Sequence, residues 1–533
     1  MHMNCTRRKE HAMKTKFVLA AMIVLSILIS GCQMNPTITT TPQITSEALP
    51  AATLSFYFPQ LTVGEKPDTQ LVLSELESKA ADRLNIQLNF KWLPPALYAQ
   101  TIETRLASGE ELDAFFCGLP GQGLLDFIAL ARDGLLADLT DALPAYAPGL
   151  VAQYEQNDLN CARVDDRIFA IPSLFPMADH VYAIVRQDLM DSYGLAAIET
   201  FADYEQYLAT IKEYEPNTIP GRIADSTVAL FARAFGYAVF DKDHGLVYGW
   251  SDQSMQLIPW EQTPEFQIVV DYLTDWAQKG YLELAAQGAG DIWNAGDRII
   301  NGQISSFLFA GEYRIGETIS LVEYVLNNYF LNNNIPREIA AYRLYPDLEA
   351  QRLNPLGNGL TTGSLALSAQ SENMERTLMF LDWLQSSQES YDILMYGIEG
   401  KHYQLDGERL EFPQGMTIDQ NAWIGWDGRQ AFKNLAYERF ATDMPLEDKE
   451  QYTQNIRFNA VLAPHEGFFA DYEPIADLLE LRKQQLLAKI ELPLLTGTFD
   501  PDDLDTLIGQ LNKTGTDEII VNIQNQLESF HAP

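Results

Sequence analysis

Cysteine is scarce in this 533-residue chain, which has only Cys5, Cys32, Cys117 and Cys161. A disulfide scaffold is thereby excluded, because such scaffolds need dense cysteine in a short chain. Histidine is also scarce. The seven residues His2, His11, His180, His244, His402, His465 and His531 include no pair at zinc-ligand spacing. The chain has no G-x-S-x-G elbow and no P-loop, and Gly118, Gly121 and Gly123 do not form a dinucleotide fingerprint. No metal and no cofactor is therefore expected. Basic residues are outnumbered, 36 Lys and Arg against 73 Asp and Glu, giving a formal net charge of −37. This speaks against nucleic acid as a partner, since phosphate binding relies on Lys and Arg. It also speaks against a folded domain that clings to anionic lipid. No apolar run reaches the roughly 20 residues that a permanent membrane helix needs.

What is present describes a folded soluble protein, with 47% hydrophobic and 20% charged residues. Its length allows two or three domains. At the N-terminus, Arg7, Arg8, Lys9, Lys14 and Lys16 precede the apolar stretch Phe17 to Ile29, which runs into Ser30-Gly31-Cys32. A basic region, a short apolar region and small residues before a cut form an export signal. A cysteine directly after small residues resembles the lipobox of bacterial lipoproteins. That resemblance implies lipid transfer to the Cys32 thiol and cleavage before it, so that residues 1–31 are a lipoprotein signal peptide. An ordinary signal with a chance cysteine is the alternative. Residues 32–52 are rich in Thr and Pro and read as a tether. The globular part is then expected at the extracellular face of the cell membrane, held by lipid. The signal's five basic residues and Glu10 contribute +4, so the remainder carries about −41, read as a solvated acidic surface. Cys117 and Cys161 remain; they are either bridged or two separate buried thiols.

Periodicity outlines the first folded segment. Leu54, Phe56 and Phe58 alternate as a strand ended by Pro59, and Leu71 to Leu84 is an amphipathic helix. Ile86, Leu88, Phe90 and Trp92 alternate again, a helix runs up to Ser108 before Gly109, and Asp113 to Cys117 is a short strand. Strand and helix in alternation are the grammar of a parallel α/β sheet. Farther on, Thr200 with Asp203 reads as a capping box and Thr263-Pro264 as a helix start. Two closing helices carry Leu504, Leu507, Ile508 and Leu511, then Ile519, Ile523 and Leu527. Asp165-Asp166 and the pair Asp471 and Glu473 are read as solvated turn residues rather than catalytic carboxylates.

Ala107 to Phe116, Asp138-Leu139-Thr140 with Ala147 to Leu150, and Val164 to Pro172 form one set of stretches, continued by Val185 to Leu189 with Tyr193-Gly194-Leu195, Ala366 to Arg376, and Tyr396 to Tyr403. In order and spacing they resemble the extracellular solute-binding lipoproteins of bacterial ABC importers, closest to the sugar and oligosaccharide branch. Asp166 stands at a turn position that is often glycine in that family. The resemblance implies an α/β, type II periplasmic-binding-protein-like fold of two lobes, each a mixed sheet flanked by helices, with a hinge between them. It assigns 53–170 and 312–395 to the N-terminal lobe, 171–311 and 404–533 to the C-terminal lobe, and 396–403 to a hinge crossing.

Within that fold, ligands sit outside the carboxyl ends of parallel strands, which marks Tyr57, Trp92 and Gly118. Sugars call for aromatic platforms beside polar partners. Trp423, Trp426 and Asp427 offer both in one short segment, and Trp250, Trp293 and Tyr313 are further candidates. Core packing is the competing role for each tryptophan, and for His402 it is a satisfied structural histidine. The expected function is capture of a small ligand, an oligosaccharide first, by hinge closure, and its delivery to the transmembrane subunits of an ABC permease by a monomer without enzymatic activity. A secreted glycoside-active enzyme and a glycan-sensing receptor or adhesin are the alternatives.

Overall fold

The structure, a computed structural model, describes residues 49–530 apart from 61–63, 118–124, 126, 155–157, 176–177, 285–291, 314–325, 328, 332, 346–349, 353–362, 414–415, 417–419, 441, 443–459, 466–467 and 469. The signal segment, Cys32, nearly all of the tether and Gly118 lie outside these residues. The first sheet runs in the order Ile86–Leu93, Ala52–Pro59, Ala114–Cys117, Ser364–Leu367, Ala170–Pro172. The first three strands are mutually parallel, and Ser364–Leu367 is antiparallel to both of its neighbours. The helix Thr69–Leu84 buries Leu73, Leu76, Ala80 and Leu84, and Pro95–Ser108 ends at Gly109 in the left-handed conformation, φ 70°.

The alternation in the first strand understates its burial. Every residue from Leu54 to Pro59 is buried, because the strand is central and both faces are covered. On one face Phe56 meets Phe380 of the helix Met374–Leu384 at 5.8 Å. On the other, the Tyr98 hydroxyl donates to the carbonyls of Tyr57 (3.2 Å) and Phe116 (2.6 Å).

The second sheet has the order Ser306–Tyr313, Ala178–Arg186, Ala350–Arg352, Ala460–Leu462, and Ile339–Arg343 also pairs with Ala178–Arg186. Phe201–Tyr214 opens with the expected capping box, both hydrogen bonds of Thr200 and Asp203 being made. Pro264–Gln278 starts with proline in its first turn, but the Thr263 hydroxyl turns away to donate to the Trp260 carbonyl, 2.8 Å. A smaller sheet of Tyr237–Asp241, Leu246–Gly249 and Ile258–Pro259 shares a core with Leu479, Ile519, Ile523 and Leu527 of the C-terminal helices. One buried ion pair ties these parts together. Arg482 and Glu261, both fully buried, pair through Nη2, which lies 3.0 Å from each carboxylate oxygen, and Arg482 also donates to the His244 carbonyl (2.7 Å) and Thr516 Oγ1 (2.9 Å).

The sheets correct the expected lobe boundaries. Lobe one takes in Leu54 to Ile171, Leu365 to Leu367 and Leu378 to Phe432, which form one continuous apolar core. The expected hinge crossing 396–403 lies inside it, with Tyr396 and Tyr403 in that core, and so does much of 404–440. Conversely, Ile339–Arg343 and Ala350–Arg352 belong to lobe two by strand pairing. The pattern of helix, glycine and strand is the same in either lobe, so periodicity alone does not say which sheet a segment joins.

Cys117 and Cys161 are buried thiols that are not bridged to each other, each in the lobe-one core. Burial pushes the Cys117 thiol well above its ordinary value. Asp165 (φ 49°) and Asp166 (φ 64°) are the two central residues of a hairpin turn joining Arg163–Val164 to Arg167–Ile168. Two left-handed residues in a row make a type I′ turn, which explains why glycine suits that position.

Candidate functional site

Strand membership changes from one sheet to the other between Ser173 and Ala178, between Arg352 and Gly363, and between Thr442 and Ala460. The described lobe-one roots of the first two passages, at Ser173-Leu174 and at Gly363, meet each other and residues 433–435. Ser173 N–H donates to the Gly363 carbonyl at 3.0 Å, Leu174 N–H to the Lys433 carbonyl at 2.9 Å, and Leu435 N–H to the Leu174 carbonyl at 3.0 Å. The approach at Gly363 leaves no room for a side chain, since a Cβ there would lie 2.4 Å from Ala431 N. Buried amides brace the junction. Asn434 Nδ2 donates to Gln153 Oε1 (2.9 Å) and Gln385 Oε1 (3.0 Å), and Gln385 Nε2 donates to the Phe432 carbonyl (2.8 Å). Tyr154 donates its hydroxyl proton to the Pro172 carbonyl. The Lys433 ammonium sits over the Phe175 ring, 4.8 Å from its centroid. A buried amide network with its donors satisfied fixes one geometry, so lobe one presents a stiff footing from which the first passage emerges.

On the lobe-two side, Ala178 begins the strand fed by the first passage, and Arg352, its register partner, ends the strand that feeds the second. That end of the sheet faces the connections. Tyr313 pairs with Ala178, and Leu462 with Arg352, so both lie at the same end. In each sheet the strand ends attached to the connections lie together: Ala178 beside Arg352 in one, Pro172 beside Ser364 in the other.

The candidate residues distribute unevenly over this frame. Trp423 and Trp426 are fully buried in lobe one and both donate Nε1–H to the Leu394 carbonyl, at 2.8 and 3.4 Å. Trp426 packs against Phe58 (5.4 Å), Phe90 (5.8 Å), Trp92 (6.1 Å) and Phe432 (5.9 Å). In this structure they are core residues rather than sugar platforms. The short segment that carries them is pinned by Asn421 Oδ1, which accepts from the amides of Trp423 and Ile424. Asp427 is also buried, and its Oδ2 accepts from Gly64 N–H at 2.9 Å. Tyr57 is buried between Lys91 and Arg105, 5.1 and 5.2 Å from its ring centroid. Trp92 differs: it is half-buried, with its Nε1–H fixed on the Asp427 carbonyl at 2.7 Å. Trp250 is half-buried at the edge of the smaller sheet's core. The backbones of Trp293 and Tyr313 lie in Ile292–Ile300 and Ser306–Tyr313, and their side chains are outside the described residues, as is Gly118.

His402 is a structural histidine. Its Nδ1 accepts from Ile398 N–H (2.8 Å), which leaves Nε2–H to donate to Asp68 Oδ2 (2.9 Å). Hydrogen bonds from Lys401 and His402 hold the Asp68 carboxyl below its ordinary range. Among the described residues no group of three metal-ligating side chains occurs. Asp165 and Asp166 occupy the hairpin turn, and Asp471 Oδ1 caps the Glu473 amide at 3.1 Å. The sequence reading missed Asn434, Gln385 and His465. Only their partners, far away along the chain, give them a role, and no local spacing advertises it.

No family model matches the chain. A curated carbohydrate ABC transporter substrate-binding protein of Streptococcus pneumoniae serotype 4 is 22% identical over 489 residues, which span 88% of this chain and 89% of that protein. Among solved structures, an N-glycan transport solute binding protein from Streptococcus pneumoniae superposes with a TM-score of 0.70 at 17% identity, covering 90% of this chain and 99% of that one. An HMO-binding, ABC-transporter-associated solute binding protein from Bifidobacterium longum infantis gives 0.64 at 13% identity, covering 91% and 100%. The chain has the two-lobed, type II periplasmic-binding-protein-like fold of these structures.

Proposed function

We propose that this protein is the substrate-binding component of an ABC importer, that its cargo is an oligosaccharide, and that it is held at the extracellular face of the membrane by lipid on Cys32. The observation that carries the reading is the end-to-end correspondence with a carbohydrate ABC transporter substrate-binding protein, 88% of one chain on 89% of the other. The junction at Ser173, Gly363 and Lys433 supports it physically. Two separately packed cores joined by three segments can rotate about a footing without breaking either core, whereas cores themselves do not deform continuously. A ligand touching both lobes would favour the closed arrangement by its extra contacts there. Trp92 and Trp250, which keep part of their rings accessible, and the chain around Gly118, Trp293 and Tyr313 are the proposed walls. Permease transmembrane subunits would receive the loaded monomer. No bond in the sugar need be made or broken.

The test is a thermal-shift and calorimetry screen of residues 51–533 against kestose, a Man5GlcNAc glycan, lacto-N-tetraose and maltotriose, with each sugar recovered and sized afterwards. A ligand at 100 times its Kd should add about 2.7 kcal/mol to stability. Binding with intact sugar supports the reading. Shortened sugar would replace it with a glycoside-active enzyme. No described helix is long and apolar enough to cross a membrane, so release of the full-length protein from cells by lipase, but not of a Cys32→Ala form, tests the anchor.

A further inference from the structure

His465 stands three residues beyond Leu462, at the end of the lobe-two sheet that faces the interlobe connections. It is half-buried, and its ring meets the edges of two aromatic neighbours: Phe240 at 5.2 Å with planes 63° apart, and Tyr248 at 5.6 Å and 87°. The ring is also held by a hydrogen bond, since Nδ1 and the hydroxyl of buried Tyr248 are 2.7 Å apart. Phe240 in turn packs on Phe468 at 6.0 Å, and the half-buried Trp250 borders the same apolar cluster. The other nitrogen, Nε2, has no hydrogen-bond partner among the described residues and is not among the buried polar atoms left unsatisfied there. One face of the imidazole is therefore fixed by the protein while one nitrogen is turned outward, beside aromatic surface.

We propose that His465 is a ligand-binding residue of lobe two, its Nε2 hydrogen-bonding a hydroxyl group of a bound carbohydrate while Phe240 and Trp250 flank it with aromatic surface. This rests on the carbohydrate-binding reading above. With Nδ1 held by the Tyr248 hydroxyl, Nε2 of the neutral ring is left to hydrogen-bond a sugar hydroxyl, as donor where the phenol donates to Nδ1 and as acceptor where it accepts. Burial and the nearby Arg233 charge push the imidazole down to about 4, which keeps it neutral at the pH of most surroundings. A neutral, oriented hydrogen-bonding nitrogen next to aromatic rings suits an uncharged polyol better than an anion, which a cationic side chain would serve.

The experiment uses the residue 51–533 protein, the four-sugar panel named above and the variants His465→Phe and His465→Gln. Phe keeps the ring's packing and removes its nitrogens, and the melting temperature of the ligand-free variants reports whether the fold survives. Diethyl pyrocarbonate, which acylates accessible neutral imidazole, gives a second readout by mass spectrometry at pH 6.5. The inference expects His465 to be modified without sugar and protected by saturating sugar. It also expects the Phe variant to bind about tenfold more weakly, or about 1.4 kcal/mol, with Gln intermediate. Wild-type-like affinity in the Phe variant, or modification of His465 that saturating sugar does not slow, would overturn it and leave the transport reading standing. If no sugar of the panel binds the wild type, the carbohydrate reading and this inference fail together, a result distinct from the previous one.

Discussion

Replacing Trp426 by alanine separates two roles that the sequence leaves open, core residue and sugar platform. The indole is fully buried, touches four aromatic neighbours and Trp423 at centroid distances of 5.4–6.1 Å, and donates Nε1–H to the Leu394 carbonyl. Truncating a buried tryptophan typically costs about 3–5 kcal/mol through lost transfer energy and the cavity left behind. The lost aromatic pairs, each worth roughly 0.5–1.5 kcal/mol, are contained in that cost and favour its upper part, while the Leu394 carbonyl stays paired with Trp423, so no orphaned acceptor adds to it. We therefore expect a loss near the upper part of that range, about 4–5 kcal/mol, from lobe one. Urea unfolding followed by tryptophan fluorescence and far-UV circular dichroism measures it. Lobe one should unfold at lower urea, and Trp426→Phe should restore more than half of the loss. Sugar affinity, extrapolated to folded protein, should be nearly unchanged. A destabilisation below about 1 kcal/mol accompanied by loss of sugar binding would refute the core assignment.

Three further outcomes follow from particular contacts. Arg482→Met should cost about 3–5 kcal/mol, because it strands Glu261, whose carboxyl is already held above its ordinary range by burial, with Arg482 the main opposing influence beside a backbone hydrogen bond; the double variant with Glu261→Leu should recover part of this in a calorimetric melt, and a single variant as stable as wild type would contradict the account. Asp166→Gly relieves a left-handed non-glycine residue in the I′ turn and should raise stability by roughly 0.5–1 kcal/mol, a melting shift that should not fall below wild type. The depressed imidazole of His465 implies that the folded state resists a proton which the unfolded chain takes up near pH 6.5. Its stabilisation is therefore complete above pH 6.5 and is lost as pH falls toward about 4, by at most about 3 kcal/mol; His465→Phe should lose less stability than wild type across that window, and parallel curves would argue against a buried neutral ring.

Local order was largely legible. The capping box at Thr200 and Asp203, the left-handed Gly109 and the buried stripe of Leu73, Leu76, Ala80 and Leu84 all follow from chemistry within a few residues. The resemblance at Val164 to Pro172 even flagged the Asp166 turn. What was not legible depends on partners far along the chain. The lobe boundaries near 312–352 and 396–440 require knowing which sheet a strand joins, and strand pairing is a long-range choice. The same holds for the tryptophans. Trp423 and Trp426 look like platforms beside Asp427 in sequence, but Phe58, Phe90 and Leu394 enclose them. His465 carries no motif, and its role emerges only when Tyr248, 217 residues earlier, supplies the hydrogen bond.

Small-angle scattering of the residue 51–533 protein, with and without a sugar that calorimetry shows to bind, tests the central claim most directly. The account predicts a smaller radius of gyration with ligand, unchanged secondary structure and intact sugar recovered afterwards. Binding with an unchanged radius of gyration would contradict closure of two lobes about the Ser173–Gly363–Lys433 junction, and cleaved sugar would contradict a carrier.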